Sequence, residues 1–201
     1  MGGRVVCDIS ISADGYAAGA NQTLDKPFGD GPVDQLHAWM FETPEENQAE
    51  IGRIVAAGAF IMGRNMFGPS RGGWDMQWRG WWGDDPPYHA PVFVLTHHAR
   101  EPLPVAGGTT FTFVTDGIGS ALEQARVAAG DADIAIAGGA ATINQYLVAG
   151  AIDELRAHVV PVTIGAGERL FEGVPPLQLK LIESRSATLV THISYSVGPA
   201  L

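Results

Sequence analysis

The pattern of apolar and polar positions divides the chain into short strands separated by helices and glycine-rich turns. Residues 4–12 (RVVCDISIS) alternate with a period of two and carry β-branched side chains, which predicts a strand ended by the turn residues Ala13, Asp14, Gly15 and Tyr16. Residues 59–62 (AFIM), 91–96 (PVFVLT) and 134–137 (IAIA) are short and almost wholly apolar, as expected of interior strands covered on both faces. Residues 110–115 (TFTFVT) alternate as a further strand. Helical spacing recurs between these runs: Leu36, Trp39 and Met40 within 34–41, Leu122, Ala125 and Val127 within 118–129, and Ile143, Leu147 and Val148 within 142–148. The start signal Thr43-Pro44-Glu45-Glu46 predicts another helix running to about Ala57, where Gly58 stops it. Residues 154–164 read as a strand in which Pro161 implies an edge or a bulge. Residues 177–186 and 187–197 are two long alternating runs that predict a closing antiparallel pair at the sheet edge.

Two stretches lack periodicity. Residues 17–33 are expected to form a long loop, and so are residues 69–91, which contain Trp74, Trp78, Trp81 and Trp82. Aromatics of that size on a loop imply either a lid over a flat ligand or a satellite core and interface.

Composition narrows the class. With 201 residues and no linker-like break, one domain over 1–201 is expected, and 46% hydrophobic against 17% charged residues suits a soluble α/β or α+β fold with a sizeable core. Twelve Lys+Arg against 22 Asp+Glu give a net charge of −10, so a nucleic-acid or anionic-membrane surface would work against the field of the whole protein. The single Cys7 excludes an internal disulfide and is expected to be a buried, inert thiol. No apolar run reaches the length of a membrane span and no signal-peptide core opens the sequence, so a cytoplasmic location is expected.

Candidate chemistry lies where strands end. The run 134–137 breaks at Gly138 and Gly139 directly into a helix; glycine there lets a ligand approach the main chain where the helix exposes unpaired N–H groups, a seat for an anion. An ordinary strand-to-helix turn is the other reading. The run 59–62 ends in Gly63, Arg64 and Asn65, which offers backbone N–H groups and a guanidinium fork to a phosphate, unless Arg64 pairs with a surface acid. The run 91–96 opens into His97, His98, Ala99 and Arg100. Adjacent histidines diverge, and neither Cys nor a carboxylate stands at ligand spacing, so no metal is expected. Asp34 and His37 are one helical turn apart; either they face a pocket together, or Asp34 caps its helix and His37 is solvated or packed.

The motifs Ser12-Ala13-Asp14-Gly15, Met62-Gly63-Arg64, Val94-Leu95-Thr96 and Ala137-Gly138-Gly139-Ala140 stand in the order found in dihydrofolate-reductase-like proteins, and the chain resembles that family over nearly its whole length. It is most similar to stand-alone members related to the reductase domain of the bifunctional riboflavin-biosynthesis enzyme, a pattern that Pro161, Gly165, Gly167, Leu170 and Phe171 also fit. The resemblance implies a three-layer α/β fold with helices on both faces of a mainly parallel sheet, an antiparallel C-terminal edge, and NADPH bound across the carboxyl ends of the strands. By position, Gly63, Arg64 and Asn65 would face the cofactor's phosphates, and Thr96, His97 and His98 would lie by its adenosine end. Gly138, Gly139, Ala140, Ala141 and Thr142 would cradle the pyrophosphate. NADP is favoured over NAD because His97, His98 and Arg100 offer donors to a ribose phosphate, and no GxGxxG with a later acid is present.

The implied activity is hydride transfer from NADPH to a C=N or C=O group of a small pterin- or pyrimidine-like substrate, with Asp34, His37 or ordered water delivering the proton and Asp14 shaping its loop. Asp34 is only a positional counterpart of the acid that holds the pteridine in dihydrofolate reductases. Ala137 stands where riboflavin-pathway reductases often carry an acid. The alternative is a non-catalytic NADP(H) or small-ligand binder on the same fold. Related domains also imply a symmetric homodimer, to which the late alternating runs and the loop tryptophans would contribute.

Overall fold

The computed structural model describes residues 2–68 and 72–200. Its strands are β1 (Val5–Ser12), β2 (Tyr16–Gly19), β3 (Ala59–Gly63), β4 (Val92–Leu95), β5 (Leu103–Pro104), β6 (Thr110–Val114), β7 (Ile134–Ile136), β8 (Glu154–Val160), β9 (Gly167–Arg169), β10 (Leu177–Ser186) and β11 (Thr191–Ala200). The helices are α1 (Ala38–Phe41), α2 (Gln48–Ile54), α3 (Arg64–Phe67), α4 (Gly117–Ala129) and α5 (Ala140–Val148). One mixed sheet runs in the order β10-β11-β8-β1-β7-β3-β4-β6-β5. Its centre, from β8 to β6, is parallel, and antiparallel strands close it at both ends. This is the expected α/β architecture with an antiparallel C-terminal edge.

The period of two in β1 sorts its side chains between two layers. Val5, Cys7, Ile9 and Ile11 join Ile61, Phe93, Ile136 and Leu155 in the larger core, closed by Leu122 and Ala125 of α4 and by Ile143, Tyr146 and Leu147 of α5. Burial pushes the Cys7 thiol up, consistent with an inert core residue. On the opposite face Val6, Phe60, Met62, Val94, Phe111 and Phe113 pack with Trp74, Trp78 and Tyr88. Farther along that face Trp39 of α1 packs with Val160 and Val190, with Ile51 and Ile54 of α2 against it.

Several expectations change. The loop predicted over 17–33 begins within a strand: β2 pairs antiparallel with β9 in a separate two-stranded sheet, a pairing with a segment far along the chain that local periodicity does not signal. The helix predicted from 43 to 57 is a 3-10 turn, Pro44–Asn47, followed by the shorter α2. The 34–41 helix is likewise a 3-10 turn, Val33–His37, running into α1, and Pro32 rather than Asp34 occupies its capping position. Pro161 marks neither an edge nor a bulge, since β8 ends at Val160 and lies between β1 and β11. Only β10 of the late pair is an edge strand, because β11 is bonded on both sides; the other edge is the two-residue β5, too short to leave a pattern. The tryptophan-rich loop starts at positions 69–71, outside the described residues.

Candidate active site

Parallel pairing brings three of the glycine- and histidine-bearing strand ends side by side. Ile61 of β3 pairs with Ile136 of β7, and Gly63 pairs with Leu95 of β4, so the residues that follow emerge together at one rim of the sheet. The Gly63 N–H donates to the Gly138 carbonyl at 2.7 Å. Gly138 has φ +107°, a conformation open to glycine, and is joined to Gly139 by a cis peptide. Helix α5 starts at the next residue without a side-chain cap, and its first hydrogen bonds run from Thr142 and Ile143 back to the Gly139 carbonyl, at 3.0 and 3.1 Å. The amides of Ala140 and Ala141, ahead of those bonds, have no intrahelical acceptor.

A Cβ added to Gly139 meets nothing within 4 Å, whereas one added to Gly63 collides with the Thr142 hydroxyl. The first glycine leaves space over the helix start, and the second lets the strand end close against it. That combination fits an anionic group such as a cofactor pyrophosphate, with Gly138, Gly139, Ala140, Ala141 and Thr142 as its cradle.

The neighbouring side chains are tied to the tryptophan-rich loop. The Arg64 guanidinium lies 3.9 Å from the Trp74 ring centroid and donates to the Gly73 carbonyl at 3.1 Å. Trp74 Nε1 donates to the His98 carbonyl, Trp78 Nε1 to that of Phe67 (both 2.7 Å), and Trp81 Nε1 to that of Asn65 (3.2 Å). The indoles therefore brace the segments after β3 and β4, and Trp74 and Trp78 form a satellite core on the sheet, while Trp82 is exposed. Asn65 Nδ2 donates to Gln22 Oε1 at 3.1 Å, which ties the first long loop to this rim. Thr96 is buried and its hydroxyl accepts from the His98 amide at 3.1 Å; His97 and His98 are exposed. Arg100 is engaged elsewhere, donating to the Trp78 carbonyl at 2.9 Å beneath the rings of Phe67 and Phe113.

Asp34 and His37 lie on the turn that packs against β1 and β2. Asp34 is exposed. The His37 ring stacks on Phe28 of the first long loop at 4.7 Å, and its buried Nδ1 has no hydrogen-bond partner among the described residues. Burial, helped by the nearby His158, pushes its pKa down to about 4, so the ring is neutral at pH 7. Asp14 ties the loop after β1 to the segment before β9, accepting from the Ile164 and Gly165 amides at 3.1 and 2.8 Å.

Sequence reasoning passed over a buried polar strip beside His37. Asp8 and Ser10 of β1, Arg156 and His158 of β8 and His192 of β11 share the face covered by Trp39, whose Nε1 donates to Ser10 Oγ at 3.0 Å. The available signal was polar residues at alternate positions of strands that are otherwise apolar. Among the described residues no group of three or more His, Cys, Asp or Glu is placed to hold a metal ion.

The family model of the RibD C-terminal domain matches residues 4–194. The chain belongs to that family. Among solved structures, this RibD-type domain is similar to a candidate riboflavin biosynthesis protein from Shewanella sp. PV-4, at 23% identity and TM-score 0.65, covering 98% of this chain and 99% of that one. It is also similar to the dihydrofolate reductase from Enterococcus faecalis complexed with NADP(H), at 11% identity and TM-score 0.59, covering 98% and 97%. A third similarity is to RibD from Acinetobacter baumannii, at 15% identity and TM-score 0.60, where 97% of this chain corresponds to 58% of that one. At these identities the likeness is one of fold. No curated protein matches the sequence.

Proposed function

We propose that this RibD-type domain is an NADPH-dependent reductase that transfers a hydride to a C=N or C=O group of a small heterocycle of the pterin or pyrimidine kind. The observation that carries the reading is the Gly63–Gly138 junction: two strand ends bonded to each other under an uncapped helix start, with open space above Gly139. Family membership supports the reductase class, and the E. faecalis neighbour is a reductase complexed with NADP(H).

When bound, NADPH supplies the hydride. The chain's own residues bind and orient it: the Gly138 to Thr142 cradle takes the pyrophosphate, Gly63, Arg64 and Asn65 the adjoining phosphate oxygens, and Thr96, His97 and His98 the adenosine end. Exposed His97 and His98, with Arg64 nearby, favour the cofactor that bears a ribose phosphate. Proton delivery falls to Asp34, His37 or ordered water; His37, unprotonated at pH 7, would relay a proton taken from water rather than hold one ready.

Titration of the full chain with NADPH and NADH tests the binding half, and tighter binding of NADPH is expected; equal affinities would sink the phosphate-site assignment. NADPH oxidation against a panel of pterins, pyrimidines and small carbonyls tests the chemistry. Tight NADPH binding without turnover on any of them would favour a non-catalytic binder.

A further inference from the structure

His158 and His192 lie together under Trp39, only 2% and 5% exposed, with Nδ1 atoms 2.8 Å apart. One of the two Nδ1 atoms must carry a hydrogen. His192 Nε2 lies 2.9 Å from Asn47 Oδ1, and that amide is fixed in orientation because its Nδ2 donates to the Thr43 carbonyl at 2.8 Å and the Trp39 carbonyl at 3.1 Å. A carbonyl oxygen only accepts, so His192 Nε2 also carries a hydrogen. On the far side, His158 Nε2 faces Asp8 Oδ1 at 3.4 Å, and neither atom has another partner among the described residues. Asp8 is ion-paired with Arg156, which donates to its Oδ2 at 3.2 Å. A bare ring nitrogen against a carboxylate oxygen would oppose two lone pairs away from water, so a third hydrogen belongs on His158 Nε2. Two neutral imidazoles have only two.

We propose that His158 and His192 together hold one buried excess proton, seated on His158 between Asp8 and His192. The ion-paired chain Asp133–Arg4–Glu154–Arg156–Asp8 has three carboxylates and two guanidinium groups, and an imidazolium at its end makes it neutral. Burial and the His158 charge push His192 down to about 4, which leaves the proton on His158. The other titratable or charged groups that act on the cluster are Arg156 on β8, His37 on the turn before α1, and Glu50, Arg53 and Arg185 beyond His192. Nothing in the proposal requires cofactor or substrate, so it stands or falls separately from the reductase reading.

Nitrogen-15 imidazole spectra of the full chain, assigned with H158Q and H192Q, test it. At about pH 7 the signal missing from H158Q is expected to show both ring nitrogens protonated. A neutral tautomer for His158 at pH 7 would overturn the proposal. Should H158Q not fold, D8N serves instead: the His158 proton is expected to leave at lower pH than in the unsubstituted protein, and an unchanged midpoint would count against the stored charge.

Discussion

The two glycines at the rim of the sheet do different physical jobs. Open space above Gly139 and a collision at Gly63 separate ligand access from packing. Gly139→Val is expected to weaken NADPH binding by about tenfold or more, with an unchanged melting temperature. Gly63→Val is expected to cost about 2 kcal/mol of stability or more by driving β3 from α5. Calorimetric titration and thermal unfolding of both variants distinguish the two roles, and retained NADPH binding in a folded Gly139→Val would make the junction merely structural. Acid sensitivity has a residue-level origin as well. His37 and His192 have folded-state pKa values near 4 against 6.5 for the free side chain, so the unfolded chain binds more protons between those values. Stability is then complete above about pH 6.5 and falls as the pH drops toward 4; His37→Gln is expected to flatten that slope in denaturant titrations across the window. The glycine pair was legible in the sequence because a turn is a local event. The Asp8–His158 contact was not, since it joins strands paired across most of the chain, and a lone polar residue in an apolar strand does not name its partner.

Elements followed local signals where apolar periodicity dominates, and departed from them where a side chain competes with the backbone. Strands β3, β4, β6 and β7 and helices α4 and α5 lie within a residue or two of the predicted runs. The segment after Thr43 tightens into a 3-10 turn before α2, and in it the Asn47 side chain satisfies the carbonyls of Trp39 and Thr43. The tryptophan loop could be read as a lid or as a satellite core, and the hydrogen bonds of its indoles decide for the core in Trp74 and Trp78. Trp78 fixes the loop by donating to the Phe67 carbonyl at the end of α3. Trp78→Phe keeps most of the ring contact but leaves that carbonyl unpaired, and a loss of about 1 kcal/mol is expected in chemical denaturation. A loss near zero would mean the loop is held by ring packing alone.

For the whole molecule, one edge strand is long and uncovered: β10 exposes Leu181 and Ile182, at 56% and 55%. An apolar edge of that length invites pairing, and we propose a symmetric homodimer that covers it. Sedimentation at micromolar concentration checks this: a species of twice 21.2 kDa is expected, and a single concentration-independent monomer would refute it. Among the described residues no helix is long and apolar enough to cross a membrane. The sheet order has one more consequence, and it concerns time. Strand β1 is made well before its partners, since Val5 pairs with Ile134 and Val6 with Glu154. Long-range pairing of this kind closes slowly, on the order of milliseconds to seconds. Until β8 emerges, β1 is an open β-edge of valine, cysteine and isoleucine, and a nascent chain stalled before residue 154 presents that edge to every other unfinished copy.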